Sequence, residues 1–322
     1  MQIGKIKLSR GLILAPMAGF TDRAMRLVCR RYGAEYTVTE MVSAKAVTFG
    51  DKKTSLIARI AEGEGPVALQ LFGSEPDVIA RAVELSAGGV SGYVPPVAID
   101  INMGCPVNKV FSNGEGSALM RDPELIYRIT RVAVAASELP VTVKLRAGVD
   151  SGSRNALECA IAAEEGGASA IALHGRTRVE MYSGRADREL IADVKKALNI
   201  PLIANGDITS AREALDMIEK TGADGIMIGR GAIGNPVVFA EIEAALAGRE
   251  VPEVSTEERV ETALLELRYA IEDKGERIAV PEARKRIAMY LRSFRGAAQI
   301  RAEVNRATVY REVEAALHKA IE

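Results

Sequence analysis

The residues of this 322-residue chain that could do chemistry stand at the ends of short apolar runs. Cys105 lies in Asp100-Ile-Asn-Met-Gly-Cys-Pro106, a glycine/proline turn just past such a run. A thiol with an ordinary pKa of about 8.5 is protonated at neutral pH and can donate that proton. Cys29 and Cys159 fall inside helical patterns and are expected to pack. Lys144 ends another apolar run, Val141-Thr-Val-Lys, where a desolvated cation requires an anionic partner. Three partners suit it: the negative edge of a reduced flavin, a carbonyl that forms a Schiff base, or a neighbouring carboxylate such as Glu40. His174 and Arg176 follow a third run, and His318 reads as a solvated surface residue. Ala204-Asn-Gly-Asp-Ile208 and Ile228-Gly-Arg-Gly231 offer backbone N–H groups and Arg230 to a phosphate; ordinary tight turns are the plainer reading.

The elements that must position these residues form a series. Candidate strands are 12–17, 36–40, 67–72, 98–102, 141–145, 170–174, 201–205 and 225–229. They are continuous apolar runs, as strands buried on both faces require. Amphipathic helical patterns separate them, with start signals at Ser74–Asp77, Asp122-Pro123, Ser210–Glu213 and Asn235-Pro236. Gly33, Gly88, Gly166-Gly167 and Gly222 fall where helices should stop. Eight such units with no antiparallel hairpin signal predict a (β/α)₈ TIM barrel. An open doubly wound sheet would show GxGxxG after its first strand, and Pro16-Met-Ala-Gly19 lacks it. The barrel is expected over residues 1–248, with its site at the C-terminal strand ends. Residues 249–322 are expected to form a small all-helical domain, with helices over 257–273, 281–295 and 297–321, the last broken. Gly88–Pro96 reads as a tolerated insertion on the opposite face of the barrel.

Composition narrows the function. Apolar residues make up 48% and charged residues 26%, as in ordinary globular proteins. Three scattered cysteines suggest neither a disulfide framework nor a CxxC metal site, and a reducing cytoplasm suits them. Two histidines exclude a histidine-rich metal centre. The apolar stretch 11–18 is broken by Pro16 and reads as a first buried strand rather than a signal peptide. Net charge is −1, so a nucleic-acid partner must be argued locally. Between Ala283 and Arg311 eight basic residues (Arg284, Lys285, Arg286, Arg292, Arg295, Arg301, Arg306 and Arg311) face one acidic residue, Glu303, a local charge of +7. Tyr290, Phe294 and Tyr310 are interspersed, which suits RNA phosphates and stacked bases; a solvated face over a core is the alternative.

Seven motifs in order resemble bacterial tRNA-dihydrouridine synthases: Ala15-Pro-Met-Ala-Gly-Phe-Thr-Asp22, Gln70-Leu-Phe-Gly73, Asp100–Pro106, Val143–Arg146, Leu173-His-Gly-Arg-Thr177, Ala204–Ile208 and Ile228–Gly231. The resemblance implies an FMN-containing barrel, NADPH as reductant, tRNA as substrate and a helical domain that helps hold the tRNA. Carried over by residue, Pro16, Met17 and Ala18 back the flavin, and Gln70 and Lys144 contact its polar edge. His174, Asn205, Gly206, Asp207, Gly229 and Arg230 hold its side chain and phosphate. Cys105 is the general acid, Asn102 and Arg176 meet the uracil, and Lys109, Arg284, Lys285 and Arg286 meet the RNA. The alternatives are a flavin barrel acting on a free pyrimidine, like dihydroorotate or dihydropyrimidine dehydrogenase, and a non-catalytic RNA-binding barrel.

Overall fold

A computed structural model describes residues 1–89, 93–292, 294 and 296–321; the Lys53 side chain is also outside what is described. Eight strands close a parallel barrel: β1 Leu12–Leu14, β2 Tyr36–Val38, β3 Val67–Phe72, β4 Ala98–Asn102, β5 Val141–Arg146, β6 Ala170–His174, β7 Leu202–Asn205 and β8 Gly225–Ile228. Each pairs in parallel with the next, and β8 returns to β1 through Ile226 opposite Leu12. A short strand, Val42–Ser43, adds to the end of β3.

The side-chain alternation of a strand explains both the core and the site. Leu12, Leu14, Ile99, Ile101, Val143, Leu145, Ile171 and Leu173 point outward and pack under the helices. Burying each such side chain contributes about 1.5–3 kcal/mol. The inward set is apolar low in the barrel, where Ile13, Ala68, Ala98, Ala170, Ala172 and Ile203 cluster. Higher up, the same parity delivers Gln70, Asp100, Asn102, Lys144, Arg146, His174 and Asn205. The runs look uniformly apolar because both faces are buried.

The N-terminus differs from the expectation of no hairpin. Gln2–Ile3 and Ile6–Lys7 pair antiparallel around Gly4, and Ile3 and Leu8 enter the lower core. Two-residue strands carry too little periodicity to be seen in sequence. Two of the four helix starts are as read: Asp122 accepts from Leu125 N at 3.0 Å and Ser210 from Glu213 N at 3.3 Å, whereas helix Val238–Leu246 begins behind Val237 rather than at Asn235-Pro236. Ser74 does not cap. Helix Pro76–Ala87 begins behind Glu75, without a side-chain cap bond. Proline in the first turn sets its own φ and has no N–H to satisfy. Of the Gly88–Pro96 stretch, 90–92 lie outside the described residues; Val94 N bonds Ile60 O on the far face from the strand ends.

The tail comprises helices Thr256–Lys274, Glu276–Tyr290, Ala297–Arg306 and Tyr310–His318. The second begins five residues before the expected Pro281. Gly275, at φ +77°, makes the reversal, and Pro281 sits inside the helix at the loss of one backbone bond. Val260, Leu264, Leu267, Ile287, Leu291 and Val313 form a core of their own, which Ala24 of the first barrel helix, Arg23–Arg31, joins. No helix among the described residues is long and apolar enough to cross a membrane.

Candidate active site

The strand ends enclose a cleft of about 520 Å³, within the ~300–1,000 Å³ usual for small-molecule sites. Its floor is a chain of hydrogen bonds that starts at a buried carboxylate. Asp100 accepts from Thr142 Oγ1 at 2.5 Å and from Gln70 Nε2 at 2.7 Å. Gln70 Oε1 accepts from Asn102 Nδ2 at 2.9 Å, and Asn102 Oδ1 accepts from Cys105 N at 2.8 Å and Gly104 N at 3.2 Å. Burial raises the Asp100 carboxyl to about 6, against the lowering effect of its bonds to Gln70 and Thr142 and of Lys144. Asn102 thus lines the cleft while its amide positions the cysteine loop.

Cys105 lines the cleft at 8% exposure. Its carbonyl is held by Ser117 Oγ at 2.8 Å, and the preceding Gly104 carbonyl accepts from Arg146 Nε at 2.8 Å. A Cβ on Gly116, which has φ +60°, would lie 2.9 Å from Cys105 Cβ, so the loop closes only over glycine. Burial raises the thiol, and Val107 N–H, Arg146 and Lys144 offset this only partly, so Cys105 stays protonated at neutral pH. Cys29 and Cys159 are fully buried in helices, as expected.

Next to this loop stands a cationic wall. Register places Lys144 beside Asn102, and His174 between Arg146 and Asn205. Lys144 Nζ donates to Asn205 Oδ1 at 3.2 Å. Among the described residues it makes no carboxylate ion pair; Glu40 instead accepts from Gly19 N. Burial, then the Arg146 cation, bring the Lys144 ammonium down to about 8. Burial, with Lys144, Arg146, Arg176 and Arg230 around it, takes His174 down to about 2, so the ring is neutral. Its buried Nδ1 has no partner among the described residues. Gly206, Asp207, Gly229 and Arg230 line the same end of the cleft, and Arg230 stacks over Tyr182 at 4.2 Å. Pro16, Met17 and Ala18 line the other side.

Two expectations need correction. Arg176 does not reach the cleft. It is buried, donating to Asp207 Oδ1 at 2.7 Å, Ser183 O at 2.8 Å and Gly184 O at 2.7 Å. Strand β6 ends at His174 and Gly175 turns the chain, so the alternation does not continue to Arg176; Arg146, expected at the strand ends beside Lys144 but assigned no contact, lines the cleft instead. In the tail, Arg286 is buried in ion pairs with Asp22 at 2.8 Å and Glu266 at 2.9 Å. Half-buried Arg284 donates to Ala307 O at 2.7 Å. Arg286 therefore presents no free cation to RNA, while Arg284 keeps its charge but is partly withdrawn from the surface. Tyr290 is in the tail core, donating to Glu266 Oε2 at 2.7 Å, and Phe294 and Tyr310 pack against that core. Lys285 and Lys109 are exposed, Lys285 standing 4.4 Å over the Phe20 ring. Arg295 lies outside the described residues. Sequence reasoning gave no place in the cleft to Tyr182, Met289 or Arg292, which no motif marks, and gave Phe20 no role although it lies in the 15–22 motif. No group of three or more His, Cys, Asp or Glu among the described residues could hold a metal.

Comparison with known proteins agrees with this geometry. The dihydrouridine synthase (Dus) family model matches residues 13–322. A probable tRNA-dihydrouridine synthase of Rickettsia bellii is 40% identical over 307 residues, covering 95% of this chain and 93% of that protein. tRNA-dihydrouridine synthase B of Pseudomonas aeruginosa is 42% identical over 317 residues, 95% and 91% of the two chains. Among solved structures, a variant of NCR from Zymomonas mobilis has a TM-score of 0.55 at 16% identity, covering 80% of this chain and 93% of that one. The old yellow enzyme homologue NCR itself has a TM-score of 0.53 at 13% identity, covering 80% and 94%; at these identities the likeness is one of fold. The chain belongs to the dihydrouridine synthase family.

Proposed function

We propose that the cleft reduces uridine in tRNA to dihydrouridine, with FMN bound across the strand ends and NADPH as reductant. The observation that carries this is the pairing of a protonated Cys105 with Lys144, a cleft cation that lacks a carboxylate partner among the described residues. The residues fit a flavin. Lys144 suits a ring edge that becomes anionic on reduction, and the unpartnered His174 Nδ1 suits a polar substituent. Asn205, Gly206, Asp207, Gly229 and Arg230 suit the side chain and phosphate, and Pro16, Met17, Ala18 and Gln70 the ring. When bound and reduced, the flavin supplies the hydride that uracil C6 requires. Cys105 gives its proton to C5, held at the right height by Asn102 and Arg146. Asp100, through Gln70, fixes the Asn102 amide in the orientation that makes this possible. A uridine inside folded RNA must first be turned out into the cleft, at a cost of about a few kcal/mol. Residues 1–248 form the catalytic unit and 249–322 assist RNA binding, with the exposed Lys109 and Lys285 and the cleft-lining Arg292 as contacts.

The test is direct. Purified protein should carry a yellow flavin chromophore and, with NADPH, form dihydrouridine in unmodified tRNA. A colourless protein that cannot be reconstituted with FMN would refute the cofactor assignment. Turnover of free uracil in place of tRNA would support a free-pyrimidine reductase instead.

A further inference from the structure

The tail is more than an RNA-facing appendage, because one face of its second helix reaches the active site. Lys285, Met289 and, just past the helix end, Arg292 follow one another at helical spacing. Met289 and Arg292 line the cleft. Lys285 covers Phe20, which also lines it. The contact is tight: a Cβ on Gly234, in the loop after β8, would lie 2.6 Å from Met289.

Arg286 completes the connection. It pairs with Asp22 at 2.8 Å and with Glu266 at 2.9 Å, and Lys274 adds a second cation to Asp22 Oδ2 at 2.7 Å. Asp22 ends the Met17–Asp22 turn, whose Met17, Ala18 and Phe20 form a cleft wall. The turn is folded on itself: Thr21 Oγ1 accepts from Met17 N at 2.8 Å, and Phe20 N donates to Met17 O at 2.9 Å. Asp22 also caps helix Arg23–Arg31, accepting from Met25 N at 3.2 Å. A displacement of Asp22 is therefore transmitted to Met17 through Phe20 and Thr21, both of which are hydrogen-bonded to it.

We infer that Asp22 and Arg286 are a positioning pair through which the tail holds the Met17–Asp22 wall of the active site in place. Neither touches the reacting atoms. Their work is to fix the surface against which a flat cofactor lies. The inference rests on the flavin reading given above, and the tail must then contribute to cofactor affinity as well as to RNA binding.

The test measures FMN affinity and the visible flavin spectrum of the full-length protein after removal and return of the cofactor. Wild-type protein is measured first; if it binds no FMN, the flavin reading itself fails. Arg286→Met should raise the FMN Kd about tenfold or more, an increment of roughly 1.4 kcal/mol, and shift the flavin bands. Arg286→Lys should recover part of the loss, and Asp22→Asn with Arg286→Met should be little worse than either alone, since coupled partners are not additive. If Arg286→Met does not fold, Lys274→Met, at a more exposed member of the cluster, should give a smaller change in the same direction. Lys319→Ala, which breaks the exposed Lys319–Glu303 pair elsewhere in the tail, should leave FMN affinity unchanged. A folded Arg286→Met or Lys274→Met with wild-type FMN affinity and spectrum would overturn the inference. So would an equal loss in Lys319→Ala, which would show a general effect of tail stability.

Discussion

The rim of the barrel and the second tail helix each carry a run of basic residues, and the fold uses them differently. At the rim, Lys144 and Arg146 are two apart on one strand and therefore share a face. Both line the cleft. In the tail, Arg284, Lys285 and Arg286 are consecutive on a helix, where 3.6 residues per turn spread three neighbours over about 200°. They divide three ways: Arg284 to a carbonyl, Arg286 into a buried ion cluster, Lys285 to the surface. Charge concentrated in sequence becomes charge concentrated in space only when the secondary-structure period allows it. A count of +7 overstates what the tail offers a phosphate backbone.

The contrast can be broken at several points. The largest effect is expected at the rim. Cys105→Ala should lower dihydrouridine formation by about 10²–10⁴-fold, the scale of a lost general acid, while FMN stays bound and reducible by NADPH. Undiminished product would remove Cys105 as the proton donor.

Asp100→Asn comes next. It leaves the donors on Gln70 and Thr142 facing a group that can satisfy only one of them well. The expected cost in denaturant unfolding is about 1–3 kcal/mol, with product formation down roughly tenfold as the Asn102 amide loses its fixed orientation. Equal activity in a folded Asp100→Asn protein would show that the chain to Cys105 is not needed.

Lys144 yields a pH test in which two readouts move oppositely. Its folded pKa of about 8 lies below the ordinary 10.5. Between those values the unfolded chain holds a proton that the fold has lost, so this group makes the protein more stable as pH rises. Over the same interval the cleft loses its cation. FMN affinity and turnover should therefore decline above about pH 8 while stability from this group increases. Lys144→Arg should abolish the decline, and a profile unchanged in that variant would assign it to another residue.

The smallest effects are expected on RNA binding. Lys109→Ala should weaken tRNA affinity alike for all sequences and reduce the salt slope by about 1. Arg284→Ala should reduce that slope by less, because its half-buried guanidinium is held at Ala307 O. An equal drop in slope for Arg284→Ala would restore it to the RNA surface.

Much of this was legible from sequence. The eight strands announce themselves because both faces are buried, and the site residues because polar groups end otherwise apolar runs. What sequence could not show depends on contacts between distant segments. Arg176 shares the strand parity of His174, yet the strand has already ended, and its donors are taken up by Asp207 and the 183–184 turn. Arg286 looks like any surface arginine until Asp22, 264 positions earlier in the chain, is folded against it. Tyr182 and Arg292 sit in no motif, and only the closed barrel brings them to the cleft.

The hairpin at Gln2–Lys7 has a consequence for traffic. With Ile3 and Leu8 joining Ile13, Ala98 and Ala170 in the lower core, the barrel is closed at the end away from the cleft. On the function proposed above, a reductant and the tRNA would then share the one opening and would have to use it in turn.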